Sequence, residues 1–169
     1  MEAVLNGDTS AFALLVRKYE RAAMSAVFGV LRDHHAAQDV VQDVFVTAYE
    51  ELGKLRNRNH FGAWVLRIAY HRGMRVARER PSQPQPSDVT KSVASPENGR
   101  IGPETQDVLQ AISQLPMSER AVVQLRFFGK QTVDQIAETT DCPVGTVTKQ
   151  LSRAYARLRR LLKESDCER

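Results

Sequence analysis

Five of the seven prolines fall between Pro81 and Glu104, in a stretch that has no aromatic residue and is filled with Ser, Gln and Gly. Proline removes a backbone donor and fixes φ, so neither a helix nor a paired strand runs through such a segment. The chain therefore divides into residues 1–80, a flexible linker over 81–104, and residues 105–169. Fully extended at about 3.3 Å per residue, the linker reaches roughly 80 Å, about two turns of B-DNA.

Both flanks carry helical periodicity. After the cap candidates Asp8, Thr9 and Ser10, the apolar positions Phe12, Leu15, Val16, Tyr19, Ala23, Ala26, Val27 and Val30 recur at helical spacing. A break at Asp33 to His35 precedes a second helix, striped by Val40, Val41, Val44, Phe45, Ala48 and Leu52 and closed by Gly53. Leu55 to His60 reads as a polar loop. A third helix then sets Phe61, Trp64, Val65, Ile68 and Ala69 inward and Arg67, Arg72, Arg75 and Arg78 outward. The spacing of Trp64 from Phe61 and Ile68 makes it core rather than a stacking platform.

Beyond the linker, Val108, Leu109, Ile112 and Leu115 form one short helix, and Val122, Val123, Leu125 and Phe128 a second that follows the cap candidate Ser118. Thr132 with Gln135 three residues on is a capping box for a third, which turns at Thr140 to Pro143 into a final helix anchored by Val144, Val147 and Leu151. The expected fold is all-α, two small helical domains, the second a helix-turn-helix.

Charge is segregated along this scaffold. Lys54 to Arg80 carries +7 and Val144 to Lys163 carries +6 within a chain of net charge +4, so the remainder is acidic. The first basic segment interleaves Phe61, Trp64, Tyr70 and His71, a mixture suited to unstacked nucleic acid. Asp33 to Glu51 holds five acids and no Lys or Arg, and that face is not a DNA surface. Cys142 and Cys167 match no metal or redox spacing, and His34 with His35 beside Asp33 lacks a completing ligand, so neither a metal nor a cofactor is expected. No phosphate loop, nucleophile elbow or catalytic carboxylate pair stands out, and the expected class is a non-enzyme. No basic amino-terminal region leads into an apolar run and no stretch nears the ~18 apolar residues of a membrane span, so a cytoplasmic location without membrane insertion is expected.

In a helix-turn-helix the second helix meets base edges with its first residues and phosphates with its later basic ones. Thr146, Thr148, Lys149, Gln150 and Arg153 are spaced to project from one side, and Arg157 and Arg160 lie nearer phosphates. Three segments in order resemble the extracytoplasmic-function type of bacterial sigma factor, the smallest branch of the sigma-70 class. Asp39-Val40-Val41-Gln42-Asp43-Val44-Phe45 is similar to its polymerase-clamp helix and Phe61 to Ala69 to its melting segment. Asp134-Gln135-Ile136-Ala137 with Cys142 to Val147 is similar to its carboxy-terminal helix-turn-helix.

The resemblance implies a protein that binds the β′ and β subunits of core RNA polymerase, reads the −35 promoter element with its carboxy-terminal half and opens DNA at the −10 element with its amino-terminal half. Asp39, Gln42 and Asp43 would meet the β′ coiled coil. Arg56, Asn57, Arg58, Asn59, His60 and Phe61, with Arg67, His71 and Arg75, would hold the −10 strand, and Thr146, Thr148, Lys149, Gln150, Arg153 and Arg157 the −35 duplex. An anti-sigma factor is implied as a further partner, with no residue here identifying it. His71 stands where the family often has Asn, Gln150 where it usually has Arg, and Asp141 where it usually has Gly. Asp tolerates a left-handed backbone better than most residues, so the turn at 141 is expected to survive. The rival reading is a polymerase-independent helix-turn-helix regulator, which would bind its duplex site alone.

Overall fold

A computed structural model describes Val4, residues 8–79 and residues 103–167. The linker expected over 81–104 lies, but for its last two residues, outside the described residues.

Helix α1 spans Thr9–Leu31 and starts at Asp8, whose carboxylate accepts from the backbone N–H of Ser10 and Ala11. It ends where Arg32 turns left-handed, and Asp33 at once caps α2, His34–Glu50, through the N–H of Ala36. The break between them is thus two residues, shorter than the Asp33 to His35 gap expected. Val40, Val41, Val44, Phe45 and Ala48 form the buried stripe of α2, as the periodicity predicts. This helix stops at Glu50, and Gly53 sits inside a following 3₁₀ turn, Leu52–Lys54, instead of closing the helix. A second 3₁₀ turn, Arg58–His60, leads into α3, Phe61–Glu79.

The carboxy-terminal half begins earlier than its apolar pattern suggests, with α4 at Pro103–Ser113, because proline is well placed in the first helical turn. Helix α5, Met117–Phe127, is preceded by Pro116 and not capped by Ser118, which lies inside it. Helix α6, Val133–Thr140, opens on the expected capping box of Thr132 and Gln135. Asp141 then adopts φ 53° and ψ 36°, the left-handed turn anticipated for it, and α7 runs Val144–Cys167. Val147, Leu151 and Ala154 bury along α7, but Val144 is 45% exposed and anchors nothing.

The two halves share one buried cluster that joins Val27, Val44, Phe61 and Val65 to Leu115, Val122, Val123, Ile136 and Val147. Two helix pairs form the seam, α1 with α5 and α3 with α6. Ser25 to Val30 of α1 and Glu119 to Leu125 of α5 are buried on every side, because each is covered both by its own half and by the other.

Candidate nucleic-acid and polymerase interfaces

On α2 the residues off the apolar stripe make a continuous outer face. Asp39, Gln42 and Asp43 are exposed there, with the 57%-exposed Val46 one turn on. An acidic row flanking an apolar side chain suits a basic protein partner. Asp43 is not isolated: its carboxylate lies 3.4 Å from Arg72 of α3, and Arg72 also donates to the Thr47 hydroxyl at 2.6 Å.

Arg56 to His60 are all exposed on the loop that enters α3. The loop owes its shape to Asn57, whose side chain accepts from the N–H of Asn59 at 3.1 Å and caps the 3₁₀ turn. Phe61, named from sequence with this group, is only 2% exposed and packs at 5.5 Å from the Tyr19 ring and 5.9 Å from Trp64. It supports the loop from beneath. Gly62 makes this possible, since a Cβ there would lie 2.6 Å from the Tyr19 ring. Trp64 packs partly buried against the same core, as its spacing predicts.

Arg67, His71 and Arg75 are exposed along α3. Arg75 pairs with Glu79 at 2.9 Å, and that hydrogen bond and charge raise its pKa above the ordinary guanidinium value. Arg67 and His71 reach across to the other half. Arg67 Nη2 donates to Asp141 Oδ1 at 2.7 Å, and His71 Nε2 lies 3.2 Å from Asp141 Oδ2, an ion pair when the imidazole is protonated. Beside them Tyr70 is pushed up, first by burial and then by Cys142, with Asp141 adding to the effect.

The helix-turn-helix is braced from within. Gln131, 2% exposed, donates to the Thr139 hydroxyl at 2.9 Å, while Arg126 donates to the Gln131 carbonyl at 2.8 Å. These bonds fix α6 against the end of α5, and α7 is presented at a set angle. On α7, Thr146, Thr148, Lys149 and Arg153 are exposed and Gln150 is half-buried. The Thr148 hydroxyl donates back to the Val144 carbonyl at 2.9 Å. Arg157 lies with Nε 3.1 Å from the Glu119 carboxylate, whose side chain is 7% exposed. It therefore holds a buried charge in place as well as lining the basic face.

Sequence reasoning assigned nothing to Glu119, Arg120 and Gln124, which the fold buries at the seam. Gln124 bonds through Oε1 to the Ser25 hydroxyl, and Arg120 donates to the carbonyls of Gly29 and Leu115, each at 2.7 Å. Burial, and then the nearby charge of Arg32, push the Arg120 pKa down to about 10. The available signal was the Ser25 to Val30 run, small or apolar on every face, which marks a helix covered on two sides.

Comparison with known proteins places this geometry. Residues 15–80 match the family model for Sigma-70 region 2, and residues 105–158 that for Sigma-70, region 4. The RNA polymerase sigma-H factor of Pseudomonas aeruginosa is 35% identical over 168 residues, covering 91% of this chain and 87% of the relative. The ECF RNA polymerase sigma-E factor of Escherichia coli K12 is 32% identical with the same coverage of 91% and 87%. Among solved structures, the sigma factor RpoE in complex with the anti-sigma factor NepR from Bartonella quintana superposes with a TM-score of 0.70 at 23% identity, covering 90% of this chain and 97% of that one. CnrH in complex with the cytosolic domain of CnrY superposes at 0.65, also at 23% identity, covering 96% and 94%.

Proposed function

The chain belongs to the extracytoplasmic-function group of the sigma-70 family, and we propose that it binds core RNA polymerase, recognises the −35 and −10 elements of a small promoter set and promotes strand opening without chemistry of its own. The observation that carries this reading is the order of surfaces along one chain. An acidic outer face on α2 is followed by an exposed basic loop and helix within the region 2 match, and then by a braced helix-turn-helix with a basic second helix within the region 4 match.

In this reading Asp39, Gln42 and Asp43 contact the β′ subunit, with Val46 adding apolar area beside them. Arg56 to His60 hold a flipped base of the non-template strand, over a shoulder that Phe61 supports from inside. Flipping costs a few kcal/mol, which stacking and phosphate contacts offset. Arg67, His71 and Arg75 follow the strand backbone. Lys149, Gln150 and Arg153 read −35 base edges, flanked by Thr146 and Thr148, and Arg157 meets phosphate. An anti-sigma factor completes the set of partners, in keeping with the fold-level likeness to two chains solved with such proteins.

The test is run-off transcription from genomic fragments with purified core polymerase. Specific transcripts that depend on adding this protein are expected. Their absence, with specific duplex binding by the free protein, would move the assignment to a polymerase-independent regulator.

A further inference from the structure

Two of the side chains assigned to the −10 strand are occupied by the other half of the molecule. Arg67 and His71 stand one turn apart on α3, and both point at the carboxylate of Asp141, in the turn of the helix-turn-helix. The two oxygens are divided between them, Oδ1 to Arg67 at 2.7 Å and Oδ2 to His71 at 3.2 Å. An anionic group whose two acceptor oxygens bridge an arginine and a neighbouring imidazole donor is what a strand phosphate would present to the same helix.

We propose that Asp141 acts as a phosphate mimic: it clasps Arg67 and His71, biases the free protein toward the closed arrangement of its halves, and withholds these two side chains from DNA until the halves separate. The part concerning promoter DNA rests on the sigma-factor reading; the clasp does not.

The backbone supports a purpose for this residue. Asp141 sits at φ 53°, a conformation in which glycine carries no Cβ penalty and an aspartate does. A carboxylate held there at that disadvantage finds its partners, Arg67 and His71, on the other half of the molecule. The seam it spans is also built to part. A permanent core would fill the seam face of α5 with apolar side chains, yet Arg120 and Gln124 are buried there against α1, the polar character of an interface between separable units. Arg120 meets carbonyl oxygens of Gly29 and Leu115 there, and its charge is penalised by burial.

Magnitude decides what the clasp can do. Its side chains are 51%, 42% and 56% exposed for Arg67, His71 and Asp141, and ion pairs this open to solvent are weak. The apolar seam sets that a closed form exists, and the clasp tilts a balance.

The experiment uses the full chain without polymerase. Asp141→Asn keeps the shape and the tolerance of the left-handed turn but removes the charge. Small-angle scattering is expected to give a larger radius of gyration than wild type, and affinity for a labelled single-stranded oligothymidylate 12-mer is expected to rise about fivefold, the factor to which about 1 kcal/mol corresponds. Glu138→Gln removes a neighbouring exposed acid outside the clasp, so it controls for simple loss of negative charge and should change neither quantity. Arg67→Gln in the Asp141→Asn background should remove most of the gain in affinity. Equal radius and equal affinity for wild type and a normally folded Asp141→Asn would overturn the proposal, as would the same gain in Glu138→Gln. Failure of the sigma-factor reading shows elsewhere, as absence of transcripts with core polymerase, while the scattering difference would stand.

Discussion

Gly29 lies in the middle of α1, where alanine should be an improvement. Replacing an interior helical glycine by alanine gains about 1 kcal/mol through backbone entropy. At this position the new Cβ would lie 3.1 Å from Cγ of Gln124, 3.4 Å from its Cβ and 3.5 Å from Cα of Ala121, all on α5 of the other half. The first distance is too short and the other two are ordinary. Gln124 is poorly able to move aside, since it is 4% exposed and bonded to the Ser25 hydroxyl. Overpacking of this kind costs about 1–3 kcal/mol, so Gly29→Ala should be neutral to about 2 kcal/mol destabilising in the intact chain. In a Gln124→Ala background the obstructing Cγ is gone, and the same substitution should stabilise by about 1 kcal/mol. The predicted coupling between the two sites is therefore about 1–3 kcal/mol, within the range of directly packed pairs. Urea denaturation of wild type, both single variants and the double variant, followed by circular dichroism, measures it; in heating experiments 1 kcal/mol corresponds to about 2–4 °C at this size. If Gly29→Ala stabilises equally in both backgrounds, α1 and α5 do not pack against each other in solution and the closed seam is wrong.

Asp39→Arg with Asp43→Arg should abolish binding to core polymerase in a pull-down while leaving the helical circular dichroism spectrum intact, and normal core affinity in the folded double variant would remove α2 from the interface. Gln150→Ala should lower discrimination between cognate and scrambled −35 duplexes by about 1–3 kcal/mol, measured in the holoenzyme; equal loss on both would take it off the specificity list. Arg157→Ala should weaken all sequences alike and, because it strips the cation from the buried Glu119, also destabilise the fold by about 1–3 kcal/mol in urea titration. Asp8 has its pKa lowered by its bond with the Ser10 side chain, then by the Ala11 N–H, so the cap it contributes to α1 is fully present above the ordinary carboxylate value of 3.8 and is lost as pH falls through the lowered one. Asp8→Ala should accordingly raise amide exchange in the first turn of α1 at neutral pH, and wild type should match it only in strong acid.

Helix positions were legible because they rest on local rules. The stripe of α2, the capping box at Thr132 and the left-handed turn at Asp141 each depend on residues within a few positions of one another, and the structure shows all three. What local rules misplaced were helix ends settled by competition between neighbours. Ser118 loses to Pro116, and Gly53 is taken up by a 3₁₀ turn. The seam was out of reach for a different reason. Arg120 and Gln124 read as a polar helix face from α5 alone, and it takes the carbonyl of Gly29 and the hydroxyl of Ser25, some ninety residues earlier, to make their burial tolerable. Among site residues, exposure along α2, the loop and α7 follows from periodicity, whereas the half-burial of Gln150 and the pairing of Arg157 with Glu119 depend on tertiary neighbours.

The charge of +7 over Lys54 to Arg80 therefore does not measure how strongly that segment attracts DNA in the free chain. Of its cations, Arg72 is engaged by Asp43 of α2, Arg75 by Glu79 one turn on in the same helix, and Arg67 by Asp141 in the turn between α6 and α7. Counterion release scales with the phosphates a protein neutralises, so a cation already paired to a carboxylate contributes less until that carboxylate is displaced. Asp43 lies on the α2 face proposed to meet polymerase and Asp141 in the half proposed to read the −35 element, so under that proposal docking on polymerase and separation of the halves would each free a cation on α3. His71 and Asp141 are both positions singled out from the sequence as unlike the family it resembles, and the fold brings those two together. The aspartate on its own strains a turn. Its contacts with Arg67 and His71 across the seam offset that strain, which gives the otherwise unfavourable aspartate a physical reason to be there.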